Sequence, residues 1–163
     1  MKRITLLIFT ITMMMACTGG TYKSTSDGVV VNVQNRQKNG PAKVRLQVMS
    51  DGIVRVSQTP DKKFHDRNSL IILPDAQKET DFEVVESEAS VGIKTSELYV
   101  TVNKTDGVVT FMDTKGNVIS KESEPTSFAP ISVTDTKGTT TGYTTINRFN
   151  TVPEEGLFGL GQH

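Results

Sequence analysis

Lys43-Val44-Arg45-Leu46-Gln47-Val48 alternates polar and apolar without interruption, and Glu97-Leu98-Tyr99-Val100-Thr101-Val102 does so again. Successive side chains of an extended chain point to opposite faces, so a period of two predicts strands with one buried face. Val29–Val33, Ile53–Ser57, Phe82–Glu86, Ser90–Thr95, Val108–Met112, Val118-Ile119, Ile131–Thr134 and Tyr143–Phe149 are rich in β-branched or aromatic residues and are separated by Gly, Asn, Asp and Pro. Leu70–Leu73 is wholly apolar, stops at Pro74 and reads as a buried strand. Beyond the N-terminal segment no run of ten residues has a helical period. About ten short strands at intervals of roughly 8–15 residues predict an all-β fold, an antiparallel β-sandwich.

The same alternation fixes two registers. A two-residue Asp51-Gly52 loop would set Val48 against Arg55 and mix core with solvent. A three-residue loop pairs Val48 with Val54 and Leu46 with Val56, which predicts a G1 bulge with Gly52 in the left-handed region. Near Asp106-Gly107 a loop of even length puts Val100, Val102, Val109 and Phe111 on one face. The polar stretch from Ser120 to Phe128 reads as a connection. Asp135–Gly142, with five Thr and Gly residues in a row, reads as a mobile hairpin tip.

The N-terminus follows a different rule. Lys2 and Arg3 precede an apolar run, Ile4–Met15, that is too short to span a bilayer and fits the core of a signal peptide. Ala16-Cys17 at its end resembles a bacterial lipobox, and Cys17 is the one cysteine of the chain. Residues 1–16 are thus expected to be a signal peptide with lipobox, and Cys17 the site of lipid attachment. Several acyl chains there would anchor the protein without a transmembrane helix. The Gly/Ser/Thr-rich residues 17–27 read as a flexible tether, 28–153 as the sandwich and 154–163 as the start of a junction. Removing Lys2 and Arg3 from the 18 basic residues leaves 16 against 18 acidic ones. That balance gives no electrostatic case for nucleic acid. With one cysteine no intramolecular disulfide forms, so the fold must stand on its core.

Catalytic chemistry is sparse. The two histidines, His65 and His163, and one cysteine are too few for a structural zinc site, so no metal and no cofactor is expected. The glycines at 156, 159 and 161 do not open a helix after a βαβ unit, which fails the dinucleotide test. Glu154 and Glu155 read as solvated loop charges, and His65 as a surface residue of the charged 59–68 loop. Phe64 in that loop reads as an anchor packed on the sandwich, with sugar stacking as the alternative.

The last ten residues, Glu154-Glu155-Gly156-Leu157-Phe158-Gly159-Leu160-Gly161-Gln162-His163, resemble the Glu-x-x-[Phe/Tyr]-Gly-Leu-Gly-[Gln/Glu] run of glycoside hydrolase family 31. Ser50–Val56 is similar to a hairpin near the start of that family's N-terminal domain. Leu98–Val102, Gly107, Val109–Phe111 and Asp113–Gly116 are similar to a later strand-turn-strand section. The resemblance covers most of residues 28–163. It implies a galactose-mutarotase-like β-sandwich, truncated before a (β/α)8 barrel, with Leu157, Phe158, Gly159, Leu160, Gly161 and Gln162 at the domain junction. It implies a parent enzyme of the α-glucosidase/α-xylosidase type, retaining in mechanism, whose two catalytic carboxylates sit on the barrel. No position here matches those motifs, so no catalytic residue is expected and the chain alone should be inactive. Phe64 and His163 are the candidate substrate-binding residues, and the loops around Phe64 and Gly138–Gly142 the candidate contributions to a substrate pocket. The expected partners are the catalytic barrel of the same parent chain, an oligo- or polysaccharide, and a membrane reached through lipid at Cys17, with the protein on the bacterial envelope. The alternative is a stand-alone, lipid-anchored carbohydrate-binding sandwich. A mutarotase is disfavoured, because it needs histidine and carboxylate partners around one sugar carbon.

Overall fold

The computed structural model describes residues 20–65, 79–153 and 155. Eleven strands are formed among them, all in antiparallel pairs. β1 (Tyr22–Thr25), β2 (Gly28–Asn32), β3 (Lys43–Ser50) and β4 (Ile53–Thr59) make one sheet in sequence order. β5 (Glu83–Glu86), β6 (Ser90–Lys94), β7 (Leu98–Asn103), β8 (Val109–Asp113) and β9 (Val118–Lys121) make a second, also in sequence order. β10 (Ser127–Asp135) and β11 (Gly138–Ile146) pair only with each other. The expected strand at Leu70–Leu73 lies outside the described residues.

The alternation read from the sequence becomes the core. Val44, Leu46 and Val48 of β3 are buried, while Arg45 and Gln47 between them are not. They meet Val29 and Val31 of β2 and, from the other sheet, Val91, Ile93, Val100, Val102 and Val109. Two sheets thus share one apolar layer, which is the sandwich arrangement. Each of these side chains contributes ~1.5–3 kcal/mol on burial.

Both hairpin registers agree with the apolar pattern, but one turn differs from expectation. Leu46 pairs with Val56 and Val48 with Val54, yet Ser50 also pairs with Ile53. The extra residue is therefore Met49, where the register shifts, and Asp51-Gly52 is left as a two-residue turn. Gly52 does not take a positive φ. The bulge inside β3 absorbs the odd residue that the apolar pattern had placed in the turn. The second sheet fixes this turn: Thr95 Oγ1 donates to Asp51 O at 2.6 Å and Ser96 Oγ to Asp51 Oδ1 at 2.7 Å.

At the other hairpin Val100 pairs with Phe111 and Val102 with Val109. Asn103 N donates to Val108 O, which closes a four-residue loop ending in Gly107 at φ +83°. A Cβ on Gly107 would lie 3.0 Å from both Pro41 Cγ and Val33 Cγ2. Gly107→Ala is expected to cost about 1–2 kcal/mol from the backbone alone, read as a lowered urea midpoint with unchanged slope.

Two stretches expected to be flexible are strands. β1 lies inside the segment read as a tether. Its composition is polar because an edge strand leaves Lys23 and Ser24 exposed; only the pairing of Tyr22 with Val31 through Thr25 with Gly28, and Tyr22 packed against the core, reveal it. The presumed mobile tip at Asp135–Gly142 is mostly paired. Nine rungs run from Ser127–Ile146 to Asp135–Gly138, leaving Thr136 and Lys137 as the turn. Threonine is β-branched and favours a pleated chain, and Gly138 takes φ +126° where the chain reverses.

Candidate functional site

The β10–β11 ribbon is the one sheet of the described structure with no sandwich partner, and its root determines where it points. Between β9 and β10 stands Glu122, only 2% exposed although the sequence around it is polar. Its Oε2 accepts from Val109 N at 2.8 Å. Its Oε1 accepts from Gln58 Nε2 at 2.8 Å, Asn147 Nδ2 at 3.0 Å and Thr126 Oγ1 at 3.3 Å. Four donors from β4, β8, the 122–126 connection and the segment after β11 thus converge on one carboxyl group. A bridge between Glu122 and Phe149 adds the backbone. Burial pushes the Glu122 pKa up, and the hydrogen bonds from Val109, Gln58, Asn147 and Thr126 oppose this. Beside it lies a cavity of about 270 Å³ lined chiefly by Val56, Val109, Phe111, Phe128 and Phe149.

Beyond this root the ribbon leaves the fold. From Pro130 through Ile146 its residues are exposed, including Ile131, Val133, Tyr143 and Ile146. Phe128 N donates to Asn39 O at 2.7 Å, which ties β10 to the loop before β3. The Phe128 ring stands edge-on to Tyr143, with centroids 6.1 Å apart and planes at 85°. Tyr143 Oη in turn donates to Asp61 Oδ1 at 3.3 Å, and His65 Nε2 lies 3.4 Å from Asp61 Oδ2. The ribbon and the 59–65 loop so enclose an open cleft of about 390 Å³, with Asp61, His65, Ser132 and Tyr143 among its walls.

An aromatic edge, a carboxylate, an imidazole and a hydroxyl can hold a polyhydroxylated ligand by hydrogen bonds and apolar contact. Hydrolysis of a glycoside asks for more, a pair of carboxyl groups facing one bond. Asp61 is the one carboxylate lining the described cleft, and Glu122 is saturated by donors of the fold itself.

Of the residues singled out from sequence, Phe64 is half-buried with the Arg45 guanidinium 4.5 Å above its ring centroid, a cation–π contact that holds the loop to β3. His65 is exposed in the same loop. Glu155 Oε2 accepts from Val152 N at 3.1 Å. Cys17, His163 and the junction residues Leu157, Phe158, Gly159, Leu160, Gly161 and Gln162 lie outside the described residues. Glu122, Asp61 and Tyr143 were not singled out. Nothing local marks Glu122, since its partners are 4 to 64 residues away.

The sequence model described as the glycosyl hydrolase 31 N-terminal galactose mutarotase-like domain matches residues 43–163. Among solved structures, the GH31 α-xylosidase of Xanthomonas citri is 35% identical over 86% of this chain, with a TM-score of 0.73. A GH31 α-xylosidase from a soil metagenome, solved with xylose, is 22% identical over 63% of this chain, with a TM-score of 0.49. This chain spans 15% of the length of the first and 14% of the second.

Proposed function

The chain belongs to the glycosyl hydrolase 31 N-terminal galactose mutarotase-like domains, and from that premise we propose that it is the β-sandwich of an envelope-anchored retaining α-glycosidase acting on α-xylosides or α-glucosides. The observation that carries this reading is the 35% identity to an α-xylosidase across 86% of the chain. In this reading the sandwich supports a catalytic barrel that supplies both carboxylates. The exposed ribbon, with its cleft, faces that barrel or its substrate, and Glu122 sets the angle at which it does so. Lipid on Cys17 holds the enzyme at the bacterial envelope, where long glycans are met.

Two experiments test it. The purified 163-residue chain should leave nitrophenyl α-xyloside and α-glucoside intact, while the reading frame continued past His163 should yield a protein that cleaves at least one of them. Turnover by the 163-residue chain that disappears on changing one of its own carboxylates would overturn the division of labour. Cys17→Ser should move the protein from the membrane pellet to the soluble fraction; retention in the pellet after a high-salt wash would remove the anchor.

A further inference from the structure

Strand pairing is in place within five positions of Cys17 in the sequence. Asn32 N donates to Thr21 O at 2.7 Å, and Tyr22 is already paired with Val31. Four chain steps join Cys17 to Thr21, and fully extended they reach only ~14 Å. A lipid on Cys17 would therefore hold one particular end of the sandwich near the bilayer.

That end follows from the strand directions. Tyr22 enters where β2 finishes, β3 begins and β4 finishes, because Val31, Asn32, Lys43 and Thr59 stand at matching levels of the sheet. The loops at this end are 33–42 and 59–65. They expose Arg36, Lys38, Lys62 and Lys63, with half-buried Lys43 between them. Two acids lie near. Asp61 is engaged by Tyr143 and His65, and Asp106, in the neighbouring β7–β8 loop, accepts from Val108 N. The opposite end, ~27 Å away along the eight residues of β3, has the reverse balance. Its turns and strand ends carry Asp27, Asp51, Glu97 and Asp113 against Lys94 and Lys115.

We infer that the basic end of the first sheet, formed by Arg36, Lys38, Lys43, Lys62 and Lys63, docks on an anionic lipid surface. The inference rests on the reading of Cys17 as the lipidated residue. Charge attraction acts over a Debye length of ~8 Å at physiological salt, so a tether of many residues would let this end drift out of range and the short one does not. Acyl chains and a basic patch then act as two attachments, one insensitive to salt and one sensitive to it.

The lipidated chain, inserted in vesicles, allows a direct test. With Cys17 acylated, an introduced cysteine is the one thiol open to a fluorophore. Lys38→Cys reports the proposed docking end and Lys115→Cys the opposite one. In phosphatidylglycerol vesicles carrying nitroxide headgroups, the label at 38 should be quenched about threefold more than the label at 115. The difference should shrink in phosphatidylcholine vesicles and when Lys62→Gln and Lys63→Gln are added. Equal quenching at both ends, stronger quenching at 115, or indifference to lipid charge would overturn the inference. Release by Cys17→Ser is read separately. If the variant stays on membranes the anchor fails; if it is released while the labels at 38 and 115 are quenched alike, the anchor stands and the docking end does not.

Discussion

Glu122→Ala is expected to destabilise the fold by about 3 kcal/mol, or roughly 10 °C in Tm. The substitution removes the acceptor for Val109 N–H, Gln58 and Asn147 at once. An unsatisfied buried donor costs about 1–3 kcal/mol, and the backbone N–H of Val109 cannot turn toward another partner. The penalty should depend on pH, in a direction set by burial. Desolvation raises the folded pKa above its unfolded value, so between the two values the native state holds more protons than the unfolded chain. The stability contributed by Glu122 is then fully present below the unfolded pKa and is lost as pH rises through the folded one. The difference between wild type and Glu122→Ala, measured by urea unfolding, should be larger at about pH 4 than at about pH 8. A loss below ~1 kcal/mol at both values would mean that the four hydrogen bonds do not hold the root of the ribbon.

Gly28→Ala should be at least as costly, about 3 kcal/mol or more, and for a steric reason. A Cβ on Gly28 would sit 2.0 Å from Leu46 O and 2.9 Å from its carbonyl carbon. The obstacle is the backbone of β3, whose Val44, Leu46 and Val48 form the core, so neither strand can retreat without opening it. Gly142→Ala is the matched control, since nothing lies within 4 Å of that position in the exposed β11. It should change stability by no more than ~0.5 kcal/mol. Similar midpoints for the two variants would show that the close approach of β2 to β3 is relaxed in solution.

What was legible in the sequence was whatever one face of burial writes into a period of two. Val44, Leu46, Val48, Val100 and Val102 announced their strands, and matching their faces gave both hairpin registers. The bulge at Met49 was not legible, because the same register can be reached by placing the extra residue in the turn or in the strand. β1 was hidden because an edge strand needs no apolar face, and Tyr-Lys-Ser-Thr reads equally well as linker. The site was hardest to see. Glu122 looks like its solvated neighbours Glu124 and Lys121, and its burial is decided by Gln58, far earlier in the chain, and Asn147, later. Asp61 and Tyr143 are 82 residues apart and meet only because the ribbon folds back over the 59–65 loop.

The ribbon's middle rungs are nearly interchangeable: Ser132 faces Thr141, Val133 faces Thr140 and Thr134 faces Thr139. Such a ladder fixes its own alignment only weakly, since a slip by two residues keeps every side chain on its face. Alignment is imposed from the two ends, by Glu122 with Phe149 and Phe128 with Tyr143 at the root, and by Asp135 and Gly138 at the tip. Length is therefore a free variable. Adding two residues to each strand would advance the tip by ~7 Å without disturbing root, faces or sandwich. The reach of the arm can thus be tuned to a partner or substrate independently of the stability of the domain that carries it.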